Sequence, residues 1–404
     1  MLLRETIERV LASPLPQQAT EREVMRWVKP AWPRDHALVL TGVRRCGKST
    51  LQRQIRDREP GPWVTLHLED TRLYGMGPED FATILAVLEK EHAGATVYLD
   101  EAQEVEEWQR LVRALLDLGR RVCITGSNAS LLGRELGAKL TGRHVSKSVF
   151  PFSYREFLEF TGAVAGAESL TDFLLRGGFP GALQAGSEQG EVVLRELLRD
   201  VVQRDIVARH SLRAVRPLMT LALHLIAHPG QPLSLQALAK GLALPSVAQT
   251  GRLVEYLQDA WLMLAVPRYS SSHRQRVTSP PKYYAVDTGL AAANSPNPTP
   301  DFGRKLENAV LLKLLRQGET PTYAAAPHAW ECDFVTPTQA IQVCSRLTPE
   351  NRARELRGLL QAAGLPGANG GKSRELLLLT HDQEDCLTEQ GLVIQVTPAW
   401  RWLD

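Results

Sequence analysis

The chain has little cysteine, and its cysteines show no paired spacing. The five residues lie far apart along the sequence, at Cys46, Cys123, Cys332, Cys344 and Cys386. Zinc sites and disulfide frameworks use cysteines at short, repeated spacings, so the sequence predicts neither. This usage is typical of a reducing compartment, and we expect a cytoplasmic protein.

The chain also lacks long apolar runs and an excess of charge of one sign. Its longest apolar stretch, residues 218–227, is too short to cross a bilayer, and the first ten residues mix apolar and charged positions, unlike a secretory signal. Lysine and arginine number 47 against 45 aspartate and glutamate, a net charge of +2. The composition predicts a soluble globular protein without a membrane segment, in which any surface for nucleic acid is local.

A complete P-loop follows an apolar run. The sequence ALVLTGVRRCGKST, residues 37–50, places two glycines at the spacing of this motif and follows them with lysine and serine. Glycines let backbone N–H groups turn inward around phosphate oxygens, and the next helix directs its positive N-terminus at them. We predict that Lys48 contacts the β and γ phosphates and that Ser49 is a ligand of Mg²⁺. The predicted nucleotide-binding residues of the loop are Gly42, Val43, Arg44, Arg45, Cys46, Gly47, Lys48, Ser49 and Thr50.

Two acidic residues follow a second apolar run. The segment TVYLDEAQ, residues 96–103, predicts a buried strand that ends at Asp100 and Glu101. An ATP hydrolase needs one acid for the metal ion and another for the attacking water. We assign Asp100 to the Mg²⁺–nucleotide site and Glu101 to the water. Adjacent acids after a strand are also common at the N-terminus of a helix, which is the alternative interpretation.

A third strand-like segment ends in polar residues. This segment, RRVCITGSNASLL at residues 120–132, places them where a parallel sheet opens toward its ligand. We predict that Asn128 orients the attacking water, with Ser127 as the close second candidate. Serine and asparagine are also preferred helix N-caps, so a simple cap is the alternative.

One more strand and a helix are predicted between the P-loop and the acidic pair. Residues 62–70, PWVTLHLED, indicate a strand, and residues 81–90, FATILAVLEK, indicate a helix. An extra strand between these motifs is the arrangement of ATPases that place a glutamate beside the metal-binding aspartate, and Glu101 has that position. A further helix begins near Trp108, and we interpret its apolar face as core.

With later pieces of sequence added, the chain resembles one family of prokaryotic AAA-type ATPases. The pieces, in order, are GVRRCGKST, YLDEAQ, ITGSNASLL, LTGR, VFPFSYREF, GGFP, RDI, KYYAVDTGL, LENAV, ECDF and IQVCS. The resemblance implies an α/β fold: an AAA-type P-loop NTPase with a parallel sheet, then a winged-helix segment and a small nuclease-like α/β domain. It also implies ATP, Mg²⁺ and a homo-oligomer, such as a hexameric ring, in which neighbours complete each other's sites.

The resemblance further implies an arginine opposite the γ phosphate. Arg143, in LTGR, stands where the similar proteins keep an arginine, and Arg134 is the second candidate. An ordinary surface arginine is the alternative. Such an arginine finger raises the rate of hydrolysis by about a thousandfold or more. The sequence leaves open which chain's nucleotide the arginine serves.

Composition shifts suggest four parts of the chain. Glycine and alanine become frequent after residue 161, where we expect the catalytic domain to end. Residues 191–210 are predicted to form one amphipathic helix with a solvated charged face. The predicted parts are an AAA-type ATPase domain at 1–160, a helical lid or linker at 161–210, a winged-helix domain at 211–290 and a nuclease-like domain at 301–404.

Positive charge is concentrated in the winged-helix candidate. Residues 201–286 contain ten lysine and arginine residues against three aspartate and glutamate residues. The sequence from residue 233 predicts a helix, a turn at Gly241, a second helix from about Ser246 and a strand, and the polar segment that follows is typical of a wing. A lid or an oligomer contact is the alternative role. The residues predicted to contact DNA phosphates are Arg252, Arg274, Arg276 and Lys282.

The C-terminal segment is predicted to be nuclease-like but unable to cut. Glu307, Glu331 and Asp333 are candidate acids for a metal site. The strand that follows has Gln342 and Cys344, where the similar proteins tend to have an acid and a lysine. Glutamine is a poorer ligand for Mg²⁺ and cysteine does not replace an ammonium group, so we expect a domain that binds or assembles.

The sequence therefore favours a Mg²⁺-dependent ATPase that acts on nucleic acid, with duplex or branched DNA as the expected partner. A nucleotide-dependent switch that controls assembly with a protein partner is the alternative from another class. ATP turnover that DNA stimulates would favour the first interpretation, and turnover indifferent to DNA would favour the second.

Overall fold

The structure is a computed structural model that describes residues 4–11, 20–26, 32–129, 140, 142–295, 301–326, 329–366 and 373–404. The chain divides into two units. The first unit is Met1–Phe150 with Asp259–Trp261, and the second is Pro151–Gln258 with Leu262–Asp404. Arg134, the second candidate for the arginine finger, lies outside the described residues.

The first unit contains a five-stranded parallel sheet. Its strands are β1 (Ala37–Thr41), β2 (Trp63–His67), β3 (Thr96–Asp100), β4 (Val122–Gly126) and β5 (His144–Ser148). They lie in the order β2-β3-β4-β1-β5, and every pairing is parallel. The central strands β1 and β4 are buried along their whole length, as is typical of a parallel sheet that helices cover on both faces. All the strands therefore end at the same edge, which we call the carboxyl edge.

Helices and short turns complete the first unit. The described α-helices are α1 (Arg4–Leu11), α2 (Lys48–Arg58), α3 (Phe81–Glu91) and α4 (Trp108–Asp117). Single 3-10 turns lie at Glu23–Arg26, Thr71–Leu73, Pro78–Asp80 and Ala102–Glu104. The extra strand predicted at 62–70 is β2, and α4 buries the predicted apolar face. The predicted α/β fold with a P-loop sheet is confirmed.

The second unit begins with a helical region. Its helices are α5 (Tyr154–Thr161), α6 (Ala167–Arg176), α7 (Pro180–Gln184), α8 (Ser187–Asp200), α9 (Val215–Ala227), α10 (Leu235–Gly241), α11 (Val247–Asp259), α12 (His273–Thr278) and α13 (Thr288–Asn294). A capping box starts α5, since Ser153 Oγ accepts from Glu156 N–H at 3.1 Å and Glu156 Oε2 accepts from Ser153 N–H at 2.8 Å. Strands β6 (Met263–Val266) and β7 (Lys282–Ala285) form an antiparallel pair.

The predicted elements of this region are present with two differences. The helix expected at 191–210 is α8 followed by a π-helical stretch, Val201–Ala208. The helix, turn, helix and strand predicted from residue 233 are α10, α11 and β6, but the segment expected as a wing contains the short helix α12. The assignment of residues 211–290 to a winged-helix domain therefore stays a prediction.

The second unit ends with a six-stranded mixed sheet. Its strands are β8 (Thr322–Ala326), β9 (Trp330–Val335), β10 (Gln339–Val343), β11 (Glu375–Thr380), β12 (Asp385–Glu389) and β13 (Leu392–Pro398), in the order β12-β13-β11-β10-β9-β8. Its helices are α14 (Phe302–Arg316), α15 (Pro349–Ala363) and α16 (Ala399–Leu403). Strand β12, which pairs with β13, was not predicted. Leu356 and Leu359 of α15 pack in the core of this sheet.

The longest α-helices described, α14 and α15, have 15 residues each. No helix in the described part of the chain has both the length and the apolar character needed to span a bilayer.

Candidate functional site

The turn between β1 and α2 depends on two glycines. Gly47 has a φ angle of 100°, in the left-handed region that favours glycine, and Arg45 shares that region with a φ of 64°. A Cβ atom on Gly42 would lie 2.0 Å from the carbonyl oxygen of Val149. The turn brings the amino terminus of α2, at Lys48, to the carboxyl edge of the sheet. A helix amino terminus in this position favours an anion.

Lys48 is buried at the start of α2. Its Nζ donates to the carbonyl oxygen of Val43 at 3.2 Å and lies 3.4 Å from Glu101 Oε1. Burial alone would lower the pKa of Lys48, but the carboxylates of Glu101 and Asp100 raise this pKa above its ordinary value. The lysine is therefore charged at neutral pH, and it pairs with Glu101, the residue that follows β3.

Asp100 is buried at the end of β3, where two hydroxyl groups hold one of its oxygens. Ser49 Oγ donates to Asp100 Oδ1 at 2.9 Å, and Thr125 Oγ1 donates to the same oxygen at 2.5 Å. The other oxygen, Oδ2, lies 2.9 Å from His67 Nδ1. Burial acts to raise the pKa of Asp100, but the contact with His67 and the two hydroxyl groups lower it below its ordinary value. The same contact raises the pKa of His67, which the sequence analysis had not singled out.

Ser49 and Asp100 form a donor set that suits Mg²⁺. This ion prefers hydroxyl, carboxylate and water oxygens, and it keeps several waters when protein binds it. A cavity of about 240 Å³ adjoins both residues, with Thr65 and His67 also in its lining. The predicted ligand pair therefore lies together at the wall of one small cavity, whose lining also includes Arg53 and Arg56.

Glu101 follows Asp100 in a left-handed backbone conformation. Its φ angle is 52°, a value that costs energy for a residue with a side chain and that is common at functional sites. Its N–H donates to Thr125 Oγ1 at 2.8 Å. Gln103 Nε2 donates to Glu101 Oε2 at 2.6 Å and to Ser127 Oγ at 3.2 Å. The carboxylate is thus held between Gln103 and the P-loop lysine.

Comparison with known proteins agrees with this geometry. Residues 34–158 match the family model described as an AAA domain. The first unit has the fold of an AAA-type P-loop ATPase. Residues 167–301 match a model described as a domain of unknown function (DUF8612), which starts beyond the AAA domain.

Sequence similarity to other proteins extends beyond the residues that match the AAA domain. The uncharacterized protein MJ1544 of Methanocaldococcus jannaschii is 28% identical over 397 residues, which cover 90% of this chain and 87% of the relative. An uncharacterized protein of Haemophilus influenzae is 28% identical over 302 residues, which cover 70% of this chain and 75% of the relative. A solved structure of the Thermotoga maritima RuvB Holliday junction branch migration motor covers 65% of this chain and 88% of its own, at 17% identity and a TM-score of 0.29. That score is too low to support an inference.

In the AAA domain, both sensor candidates follow β4 at the carboxyl edge. Ser127 and Asn128 are buried, with 1% and 7% of their surfaces exposed. Gln103 links Ser127 to the Glu101 carboxylate, so the geometry connects Ser127 to the expected base. The role of Asn128 stays a prediction. Gln103 lies inside the motif YLDEAQ, but nothing in the sequence marked it as functional.

Arg22 supports the P-loop of the AAA domain and was missed by the sequence analysis. Its buried guanidinium donates to the carbonyl oxygen of Cys46 at 2.7 Å and to that of Phe150 at 2.6 Å. A Cβ atom on Gly47 would lie 2.6 Å from Arg22 Nη1. The arginine therefore fixes the backbone of the loop and fills the space beside its second glycine.

Arg22→Ala should raise the KM for ATP about tenfold, with a smaller change in kcat, because the Cys46 carbonyl loses its donor and the loop is no longer held for phosphate. Steady-state ATPase assays measure both constants. Arg22→Lys should recover part of the KM. Arg58→Ala is the matched control, since this exposed arginine pairs with Glu21 near the same segment. An unchanged KM in a less stable Arg22→Ala protein would limit Arg22 to a structural role.

Arg143 lies at the opposite edge of the AAA domain from the P-loop. The parallel register pairs Ala37 with His144, so Arg143 precedes β5 at the amino-terminal edge of the sheet. It pairs with Asp117, with Nη1 2.6 Å from Oδ1. The five residues of β1 span about 13 Å or more, too far for Arg143 to contact a phosphate on its own P-loop. As an arginine finger, Arg143 could therefore contact only a nucleotide bound by a neighbouring chain. This role stays a prediction.

The four predicted nucleic-acid contacts differ in exposure. Arg252 on α11 and Arg274 and Arg276 on α12 are exposed. Lys282, on β7, is completely buried among carboxylates and does not present its charge to a phosphate backbone. Those carboxylates include Glu307, which the sequence assigned to a nuclease-like site.

Proposed function

We propose that the protein is an ATP hydrolase that works with Mg²⁺ and acts on nucleic acid, with DNA as the expected polymer, as a homo-oligomer. One observation carries the catalytic part. Lys48, Ser49, Asp100 and Glu101 come from two motifs about fifty residues apart and meet at the carboxyl edge of one sheet. In-line attack of water on the γ phosphate needs positioned charges and a base, and this set supplies both.

The chain's residues have distinct tasks in this proposal. The P-loop N–H groups and Lys48 bind the phosphates, and Ser49 and Asp100 hold Mg²⁺. When bound, Mg²⁺ neutralises charge on the phosphate oxygens. Binding of phosphate draws the Lys48 ammonium away from Glu101, which frees that carboxylate to accept the proton of the attacking water. Gln103 keeps the carboxylate oriented, and Asn128 or Ser127 positions the water.

Assembly into an oligomer is the part of the proposal that involves Arg143. Since this arginine is remote from its own P-loop, it acts at the nucleotide of a neighbouring chain, where it stabilises the charge that develops on the γ phosphate. The exposed Asp117 carboxylate is its counter-ion in the isolated chain.

The DNA part of the proposal is supported by charge in the second unit. Arg252, Arg274 and Arg276 are exposed and lie within a segment that carries ten basic against three acidic residues. Such side chains bind phosphates without regard to base sequence, and their binding releases counterions.

The test is the ATPase rate with and without duplex, single-stranded and branched DNA, combined with DNA affinity at several salt concentrations. We expect DNA to stimulate turnover and affinity to fall steeply as salt rises. Arg252→Ala, Arg274→Ala and Arg276→Ala combined should reduce the slope of log affinity against log salt by about three.

The matched control removes the same charge elsewhere in the second unit, by Arg155→Ala, Arg199→Ala and Arg401→Ala combined. Each of these arginines is ion-paired on the surface. An equal loss of DNA affinity in both triple variants would contradict the assignment of the three arginines.

A nucleotide-dependent switch is the second candidate function. The observation that favours it is the contact between Lys48 and Glu101, because a base that pairs with a lysine is not free to activate water. ATP turnover that stays slow and indifferent to every DNA, together with a change of assembly on ATP binding, would favour the switch.

A further inference from the structure

The second unit contains a cavity of about 1260 Å³ with several acids in its lining. Glu307 comes from α14, and Glu331 and Asp333 come from β9. Gln342, from the adjacent strand β10, also lines the cavity. The acids converge because β9 points Glu331 and Asp333, two residues apart, to one face of the sheet.

A lysine ammonium group lies among these acids. Lys282 is 0% exposed, and its Nζ lies 3.0 Å from Glu307 Oε1, 2.7 Å from Glu331 Oε1 and 2.9 Å from Asp333 Oδ1. The ring of Tyr323 lies 5.5 Å from the same nitrogen, a favourable contact for a cation. The ammonium group thus contacts all three acidic side chains.

Other hydrogen bonds hold the carboxylates in this arrangement. Tyr284 Oη donates to Glu307 Oε1 at 2.6 Å, and Val343 N–H donates to Asp333 Oδ2 at 3.0 Å. Asp333 therefore has one oxygen on the backbone of β10 and the other on the ammonium group. Lys282, Glu307 and Asp333 are buried in this arrangement, whereas the side chain of Glu331 is 43% exposed.

Gln342 adds an acceptor without a partner. Its Nε2 donates to Glu355 Oε2 at 2.8 Å, while its buried Oε1 accepts no hydrogen bond. A buried acceptor that lacks a donor costs about 1 to 3 kcal/mol. Gln342 lines the same cavity as the three acids, and arginines at 268, 304 and 354 also belong to that lining.

The distances at Lys282 are those of an ammonium group. Charge-assisted N–H···O contacts measure about 2.7 to 2.9 Å, whereas oxygen ligands lie about 2.0 to 2.6 Å from Mg²⁺ or Ca²⁺. Within the described ranges, no group of three or more His, Cys, Asp or Glu side chains is arranged to hold a metal ion.

The protonation states agree with this geometry. Burial acts to lower the pKa of Lys282, but Asp333 and Glu307 raise it well above its ordinary value. Burial and the charge of Asp333 raise the pKa of Glu307 to about 8. The ammonium group therefore keeps its proton at neutral pH.

We propose that Lys282 is a built-in cation, whose ammonium group fills the position at which Glu307, Glu331 and Asp333 would otherwise hold a divalent metal ion. The wild-type cluster takes up no Mg²⁺ or Mn²⁺, and removal of the ammonium group converts it into a site for one such ion. The proposal does not depend on ATP hydrolysis, because it concerns residues of the second unit.

The test measures Mn²⁺ uptake by the full chain without nucleotide, from the electron paramagnetic resonance of free Mn²⁺. Every protein carries Asp100→Asn, which removes the carboxylate of the nucleotide site. We expect no uptake by this parent at Mn²⁺ up to about 1 mM, and one ion per chain in Lys282→Met with a Kd below about 1 mM. Lys282→Arg is the matched control that keeps the positive charge, and it should take up none.

Adding Asp333→Asn to Lys282→Met should abolish the uptake. The proposal would be overturned if the parent takes up Mn²⁺ and Asp333→Asn abolishes that uptake. A folded Lys282→Met protein that binds no Mn²⁺ would also overturn it. If Lys282→Met is unfolded in metal-free buffer, circular dichroism follows its folding as Mn²⁺ is added. Refolding that requires Asp333 supports the proposal, and no refolding overturns it.

Discussion

Lys48→Ala is expected to weaken ATP binding by about a hundredfold or more. The lysine is buried at the start of α2, and its ammonium group is the cation placed to meet the β and γ phosphates. Loss of hydrogen bonds to a charged group costs about 1.5 to 3 kcal/mol each, and 1.4 kcal/mol is a tenfold change in affinity. Calorimetric titration with ATP and Mg²⁺ measures the effect.

Lys90→Ala is the control for this change, because Lys90 is an exposed lysine on α3 of the same unit. It should bind ATP as the wild-type protein does. A correctly folded Lys48→Ala protein with unchanged affinity would remove the basis for placing nucleotide at the P-loop.

Glu101→Gln should bind ATP normally and hydrolyse it about a hundred to ten thousand times more slowly. Glutamine keeps the size of the side chain and can still contact Gln103, but it does not accept a proton from water. Loss of the negative charge also frees Lys48 from its pairing partner, so affinity for ATP should be equal or higher. Single-turnover hydrolysis and equilibrium binding separate the two effects.

Glu106→Gln provides the comparison, since this glutamate is exposed and follows the same motif. Its turnover should match the wild-type rate. Near-normal hydrolysis by Glu101→Gln would show that another group activates the water.

Local patterns account for the part of the site that could be predicted. The P-loop is contiguous in sequence, and its glycines are required by the backbone at Gly42 and Gly47. Asp100 could be placed near Ser49 because parallel strands end at a common edge, and the two side chains are hydrogen-bonded. These inferences need only the type and direction of each element.

Contacts that neither a motif nor the direction of a strand specifies could not be predicted. Arg22 reaches a carbonyl 24 residues along the chain, and no motif surrounds it. His67 and Gln103 lie in segments that were assigned to a strand and to a motif, but a strand pattern does not say which neighbouring side chain a polar residue contacts. Their role depends on the order β2-β3-β4, a property of the folded sheet.

Lys282 shows the limit of counting charges. The count of charged residues over 201–286 treats each lysine as exposed. Lys282 is instead buried against two acids that lie 25 and 51 residues further along the chain, outside the counted segment. The sequence analysis grouped these acids at one predicted metal site, and in the structure they surround a common nitrogen atom. Their cation could not be foreseen, because it comes from a strand outside the predicted nuclease-like domain.

The position of Lys282 on β7 also determines where a stable C-terminal fragment of this protein can begin. A fragment of residues 301–404 would keep the three acids and lose their counter-ion, and removing one partner from a buried ion pair costs about 3 to 5 kcal/mol. It would also lose the backbone bond from Tyr269 N–H to the carbonyl oxygen of Tyr323, which ties the segment after β6 to β8. A truncated C-terminal piece should therefore start ahead of β6 to remain stable.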